Sequence, residues 1–143
     1  MRAWLLEHAP GDYHLGTVDT PEPGPGDVRV RVIASALNHM DIWVTKGLPK
    51  PPLPHVPGAD GAGVVEAVGP GVDGVQAGDE VVLNPSISCR SCPVCLAGNA
   101  PLCPRYGIMG EHRWGAHAEF VVVPAANVVA RPPSRTWEES AAY

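Results

Sequence analysis

Four cysteines fall within fifteen residues, spaced Cys89-x2-Cys92-x2-Cys95-x7-Cys103, and the 143-residue chain has no others. Thiolates three residues apart on a tight turn can converge on one ion, and a fourth from a returning segment completes a tetrahedron. The spacing therefore predicts a zinc ion held by Cys89, Cys92, Cys95 and Cys103. With four thiolates and no open coordination position, such a zinc is structural rather than catalytic. The surrounding stretch from Asn84 to Tyr106 shows little apolar periodicity and is long for a bare loop in a compact domain. Metal–thiolate bonds can hold such a lobe without an apolar core of its own. Two rival readings are four unrelated thiols and an iron–sulfur electron carrier. The opening C-x2-C-x2-C is shared with bacterial ferredoxin motifs, but those continue with x3 rather than x7 and carry a second cysteine group.

Cysteines gathered in this way suit a reducing compartment, where they more often bind metal than form disulfides. No apolar run approaches 18 residues and Met1–Pro10 does not read as a signal peptide, so a cytoplasmic location is expected. Net charge is −5 with no basic cluster, which argues against nucleic acid or an anionic membrane surface as a partner. Gly 16 and Pro 17 are high counts, but a hydrophobic fraction of 45% excludes a disordered chain. Eight of the ten basic residues are arginine, which would suit a thermophilic or GC-rich source.

Val28-Arg29-Val30-Arg31-Val32 alternates apolar and charged residues, the period of a half-buried strand. Further strands are predicted at Arg2–Glu7, Leu15–Asp19, Gly63–Val68, Glu80–Leu83, Glu119–Val123 and Val128–Ala130, most of them bounded by Gly or Pro. Many short strands at close spacing predict a mainly β domain, a barrel or sandwich with short helices. One helix should start at Asn38, with Asn38 as cap, Asp41 in its first turn and Lys46-Gly47 as its stop. A second should start at Thr136, where Glu139 completes a capping box.

Gly58-Ala59-Asp60-Gly61-Ala62-Gly63-Val64-Val65, Gly69, Gly78-Asp79-Glu80-Val81, the cysteine loop and Gly115-Ala116-His117-Ala118-Glu119-Phe120 follow one another in order. This series resembles the N-terminal catalytic domain of the medium-chain dehydrogenase/reductase superfamily, the zinc-containing alcohol dehydrogenases and quinone oxidoreductases. The resemblance implies a GroES-like β-barrel over residues 1–135, with a zinc lobe at 84–107 projecting from it. It implies that residues 136–143 begin a helix leading to a Rossmann domain that binds NAD(H) or NADP(H), without which these residues should not turn over substrate. Gly69-Pro70-Gly71-Val72-Asp73-Gly74 matches the dinucleotide fingerprint, but Val75–Asp79 leads into a strand and not into the helix that a phosphate site needs. It reads as a turn.

The pattern breaks at two points. The family's catalytic zinc usually takes a cysteine opening a Cys-His-x-Asp segment, which here is Asn38-His39-Met40-Asp41, and the histidine of Gly-His-Glu-Gly, which here is Gly58-Ala59-Asp60-Gly61. Asparagine and alanine replace these ligands, as asparagine does in the zinc-independent quinone oxidoreductases. The expected chemistry is hydride transfer to or from a quinone, enone or related carbonyl, with hydrogen-bond donors and not a metal facing the oxygen. The alternative is an alcohol dehydrogenase whose second zinc site is rebuilt by His39 and Asp60 with His55, His112 or His117.

Candidate catalytic residues are Asn38, His39, Asp41 and Asp60. Each has a plainer reading: a helix cap for Asn38, a surface residue for His39, helix-start chemistry for Asp41 and turn chemistry for Asp60. His39 is also the candidate for binding the cofactor pyrophosphate, as its counterpart does in many relatives. Trp43 and the prolines from Pro49 to Pro57 are expected to wall the substrate cleft, unless Trp43 is core. Expected partners are a small-molecule substrate, the chain's own Rossmann domain and, for the full-length protein, further copies of itself. A non-catalytic binding module is the remaining rival, because this barrel also serves co-chaperonins.

Overall fold

A computed structural model describes residues 1–142; the last residue of the expected terminal segment, Tyr143, lies outside them. The alternation at Val28–Val32 becomes the central strand β3 (Asp27–Ala36), longer than its apolar pattern suggested. Val28 and Val30 are fully buried while Arg29 turns outward, binding Glu66 at 2.5 Å and Glu22 at 2.8 Å. Before it run β1 (Arg2–Leu5) and β2 (His14–Thr17), an antiparallel pair. After it come α1 (His39–Thr45), β4 (Asp60–Val68) and β5 (Glu80–Leu83).

The cysteine region contributes β6 (Ser86–Ile87), α2 (Pro93–Leu96) and β7 (Gly107–Ile108), and the chain closes with β8 (Phe120–Pro124), β9 (Val128–Ala130) and α3 (Trp137–Ala141). The main sheet has the order β8-β3-β4-β5-β9 and is antiparallel throughout. Backbone bonds from Trp4 N–H to His117 C=O and from Glu119 N–H to Arg2 C=O seat β1 against the segment entering β8. The β1–β2 hairpin thereby continues the curved sheet, and its inner face holds Val28, Val30, Val65, Val81, Leu83, Val121 and Val123. Each fully buried valine or leucine in this row contributes about 1.5–3 kcal/mol.

A smaller apolar cluster joins α1 to the sheet through Leu6, Met40, Val44 and Ala59. Asn38 caps α1 as the sequence suggests: its side chain accepts from Met40 N–H, and Asp41 Oδ2 accepts from Asn38 N–H at 2.8 Å. The capping box at Thr136 and Glu139 also forms. Gly69–Gly74 is a turn with no helix behind it. A Cβ at Gly69 would lie 1.9 Å from the Gly24 carbonyl, so that glycine serves a close backbone approach and not a phosphate.

Candidate functional site

The cysteine region is not the bare loop that its lack of periodicity suggests. Pro93 opens the short helix α2, and the Cys92 side chain caps it by accepting from Cys95 N–H. Arg90 takes a left-handed conformation, with φ of 55°, which turns the chain sharply between Cys89 and Cys92. The sulfurs of Cys89 and Cys95 stand 3.8 Å apart, Cys92 and Cys103 3.9 Å, and Cys89 and Cys103 3.5 Å. All four lie within 4.8 Å of one another.

A tetrahedron of thiolates about 2.3 Å from zinc has edges of about 3.8 Å, so the donors present fit one ion. The space among them does not take a multi-iron cluster. N–H groups of Ser91 and Cys92 point at Cys89 and hold its thiol down to about 5, which favours the thiolate that a metal requires. Fully buried Asn127 anchors the root of the lobe by donating to the carbonyls of Asn84 at 2.9 Å and Ser86 at 2.8 Å. Arg90 reaches the same place, donating to the Ala126 carbonyl at 2.5 Å.

The second region is built on α1, the end of β3 and the segment entering β8. Asp41 is 4% exposed and fixed on three sides. It accepts from Asn38 N–H, accepts from Gly58 N–H at 3.1 Å, and lies 3.5 Å from His117 Nε2. Burial works to raise the Asp41 carboxyl pKa, but His117 and the two N–H groups outweigh it and hold the group below the usual carboxylate value. On the far side of its ring, His117 Nδ1 is 2.9 Å from Ser35 Oγ. Gly58 makes this possible: its φ is 103°, and a Cβ there would stand 2.8 Å from the His117 ring.

These groups open into a cavity of about 420 Å³ lined by Trp4, Tyr13, Ser35, Leu37, Asp41, Pro57 and His117. A shallower groove meets it at Trp4, Ser35 and His117. The Tyr13 hydroxyl donates to the Asp41 backbone carbonyl at 2.9 Å, and burial together with the Asp41 charge pushes its pKa up to about 12.

Of the four predicted catalytic residues, Asp41 lies on this cavity. Asn38 and Asp60 meet beside it, the Asn38 amide donating to Asp60 Oδ2 at 3.1 Å. His39 is exposed and packs edge-on against Trp43, ring centres 5.1 Å apart. Trp43 is half exposed and neither core nor cavity wall, and of the prolines expected to wall the cleft Pro57 does so.

Among the described residues, histidines and acids do not gather into a second group of this kind. Among the described residues, the four cysteines are the one group of three or more such side chains close enough to share an ion. His55 is buried and bonded through Nε2 to the Gly110 carbonyl at 2.8 Å, and His112 Nδ1 accepts from Ile108 N–H. At the two positions where the resemblance implies ligands, Ala59 offers no donor atom and the Asn38 amide is turned onto Asp60. Sequence reasoning missed Ser35, Tyr13 and Trp4, and assigned His117 only to a hypothetical metal. No local pattern marks the Ser35–His117 pair, because its members are 82 residues apart.

Known proteins resemble the chain over its whole length. Residues 24–133 match the model for the alcohol dehydrogenase GroES-like domain. The L-threonine 3-dehydrogenase of Pyrococcus abyssi is 38% identical over 124 residues, 84% of this chain and 36% of that enzyme. The crystal structure of an NAD-dependent alcohol dehydrogenase superposes with a TM-score of 0.93 at 55% identity, covering 100% of this chain and 43% of that one. The cobalt- and zinc-bound thermostable alcohol dehydrogenase of Pyrobaculum aerophilum gives 0.90 at 41% identity, covering 99% and 44%. The chain thus spans about two fifths of the length of the relatives it matches.

Proposed function

The chain belongs to the alcohol dehydrogenase GroES-like domain family, and from that premise we propose that it is the substrate-side half of a nicotinamide-dependent reductase whose single zinc is structural. The substrate is a quinone, an enone or a related carbonyl, seated in the cavity between β1, β3 and α1. Reduced nicotinamide, NADH or NADPH, is held by a Rossmann domain in the full-length protein and supplies the hydride. His39, exposed at the start of α1, is the residue of this domain that meets the cofactor pyrophosphate. Asn38 and Asp60 sit beside the cavity and hold each other rather than a metal.

One observation carries this reading: the Asn38 amide is bonded to Asp60, next to a buried alanine at position 59. A Lewis acid at that place would need donor atoms that this chain does not bring together. What the cavity offers instead is hydroxyl and imidazole groups on an apolar floor, which suits acceptors whose reduction depends less on a metal. Assays of the full-length protein with NADH and NADPH against quinones, enones, ketones and simple alcohols test it. Reduction by protein containing one zinc per chain is the expected result. Alcohol oxidation whose rate follows a second bound metal would overturn the reading.

A further inference from the structure

We propose that Ser35 is the proton donor to the substrate oxygen, recharged by His117, which Asp41 holds in place. The inference rests on the reductase reading above. It begins from a nitrogen that ordinary packing would not leave as it is. The His117 side chain is 9% exposed and that of Asp41 5%, yet His117 Nε2 makes no hydrogen bond and stands 3.5 Å from Asp41 Oδ2. Buried polar atoms are normally bonded, and one left loose calls for an explanation, a catalytic role among them. Here the loose end faces a fixed carboxylate. A proton arriving on the imidazole would meet a counter-charge already desolvated and positioned.

Ser35 completes the line. It lies on β3 beyond the irregularity between Val32 and Ala34, it is exposed, and its hydroxyl touches His117 Nδ1 at 2.9 Å. Carboxylate, imidazole and hydroxyl therefore run from the interior to the cavity. The Tyr13 hydroxyl is a poor competitor for the role, since its proton is committed to the Asp41 backbone carbonyl.

Hydride from reduced nicotinamide forms a C–H bond at the electrophilic carbon, and the π electrons of the acceptor move to its oxygen. The Ser35 O–H proton passes to that oxygen as the proton on His117 Nδ1 passes to Ser35 Oγ. The products are the reduced substrate, oxidised nicotinamide and a neutral imidazole, which regains its proton from water. Asp41 stays ionised throughout and acts by charge. It is a positioning residue, and Ser35 is the group that touches substrate.

The test uses the full-length protein with NADH or NADPH and whichever quinone, enone or ketone it reduces. Ser35→Ala should lower kcat by about 100-fold with KM changed little, and Ser35→Thr, which keeps the hydroxyl, should stay within about threefold of the parent. His117→Ala should lose activity similarly and recover part of it in added imidazole, a rescue that a packing role would not give. Ser35→Ala within about twofold of the parent would overturn the relay. A separate equilibrium readout is the binding of p-nitrophenolate, an oxyanion probe, followed by its absorbance. The parent should bind it about tenfold more tightly than Ser35→Ala. A protein that reduces none of these substrates would overturn the assigned reaction, whereas equal phenolate binding by parent and variant would overturn the relay alone.

Discussion

The cysteine lobe and the Ser35–Asp41–His117 cavity are two polar clusters on one barrel, solved in opposite ways. In the lobe, four soft donors come from one short stretch and converge within 4.8 Å, so local turns and the one ion such a donor set could hold would do the work of a core. At the cavity, three side chains come from β3, α1 and the entry to β8, and only the tertiary fold brings them together. Loss of a metal donor set thus has different meanings in the two places. In the lobe it would remove the structure itself. At Asn38 and Ala59 the side chains bring no such donor set together, and the Asn38 amide is closed onto Asp60.

The largest effect should come from the lobe. Cys103→Ser removes the one buried ligand, and metal analysis should show zinc falling from about one per chain to near zero. Limited proteolysis should then cut between residues 84 and 107 while the barrel persists; retained zinc would erase the contrast between the regions. Next comes Asp41→Ala, which strips acceptors from the N–H groups of Asn38 and Gly58. It should cost about 3 kcal/mol in denaturant unfolding and leave the zinc in place.

The same carboxylate predicts a pH dependence. Its folded pKa lies below the ordinary value, so its contribution is full above the unfolded pKa of about 4 and is lost as pH falls through the folded value. Unfolding measured from pH 6 down to pH 3 should fall off more steeply for the parent than for Asp41→Asn. Equal slopes would mean that the charge of Asp41 does not couple to folding.

Asn127→Ala should cost about 2 kcal/mol, because the carbonyls of Asn84 and Ser86 lose their shared donor. Hydrogen exchange should quicken at the lobe root with zinc still bound, showing that anchoring and metal binding are separable. The smallest effect belongs to Asn38→Ala, about 1 kcal/mol for the lost cap, with zinc content unchanged. A fall in metal content on this substitution would make Asn38 a ligand after all and bring the two regions back together.

Much of the fold was legible because its signals are local. Valine and arginine alternation marked β3, the Asn38 and Thr136 caps marked α1 and α3, and β5 and β9 fell at their expected bounds. The short strands β6 and β7 and the helix α2 gave no such signal, since two-residue pairings and a single helical turn carry no period.

By itself, then, the sequence determined the mainly β architecture, the four-sulfur donor set and the presence of asparagine at 38 and alanine at 59, because periodicity, ligand spacing and side-chain chemistry can be read one residue at a time. Tertiary structure alone decided that Asn38 turns to Asp60, that Trp43 faces outward, and that Ser35 and His117 meet across 82 residues beside Asp41. Those outcomes depend on strand register and on a glycine at 58 that admits the His117 ring, and contacts of that range leave no period or spacing in the chain.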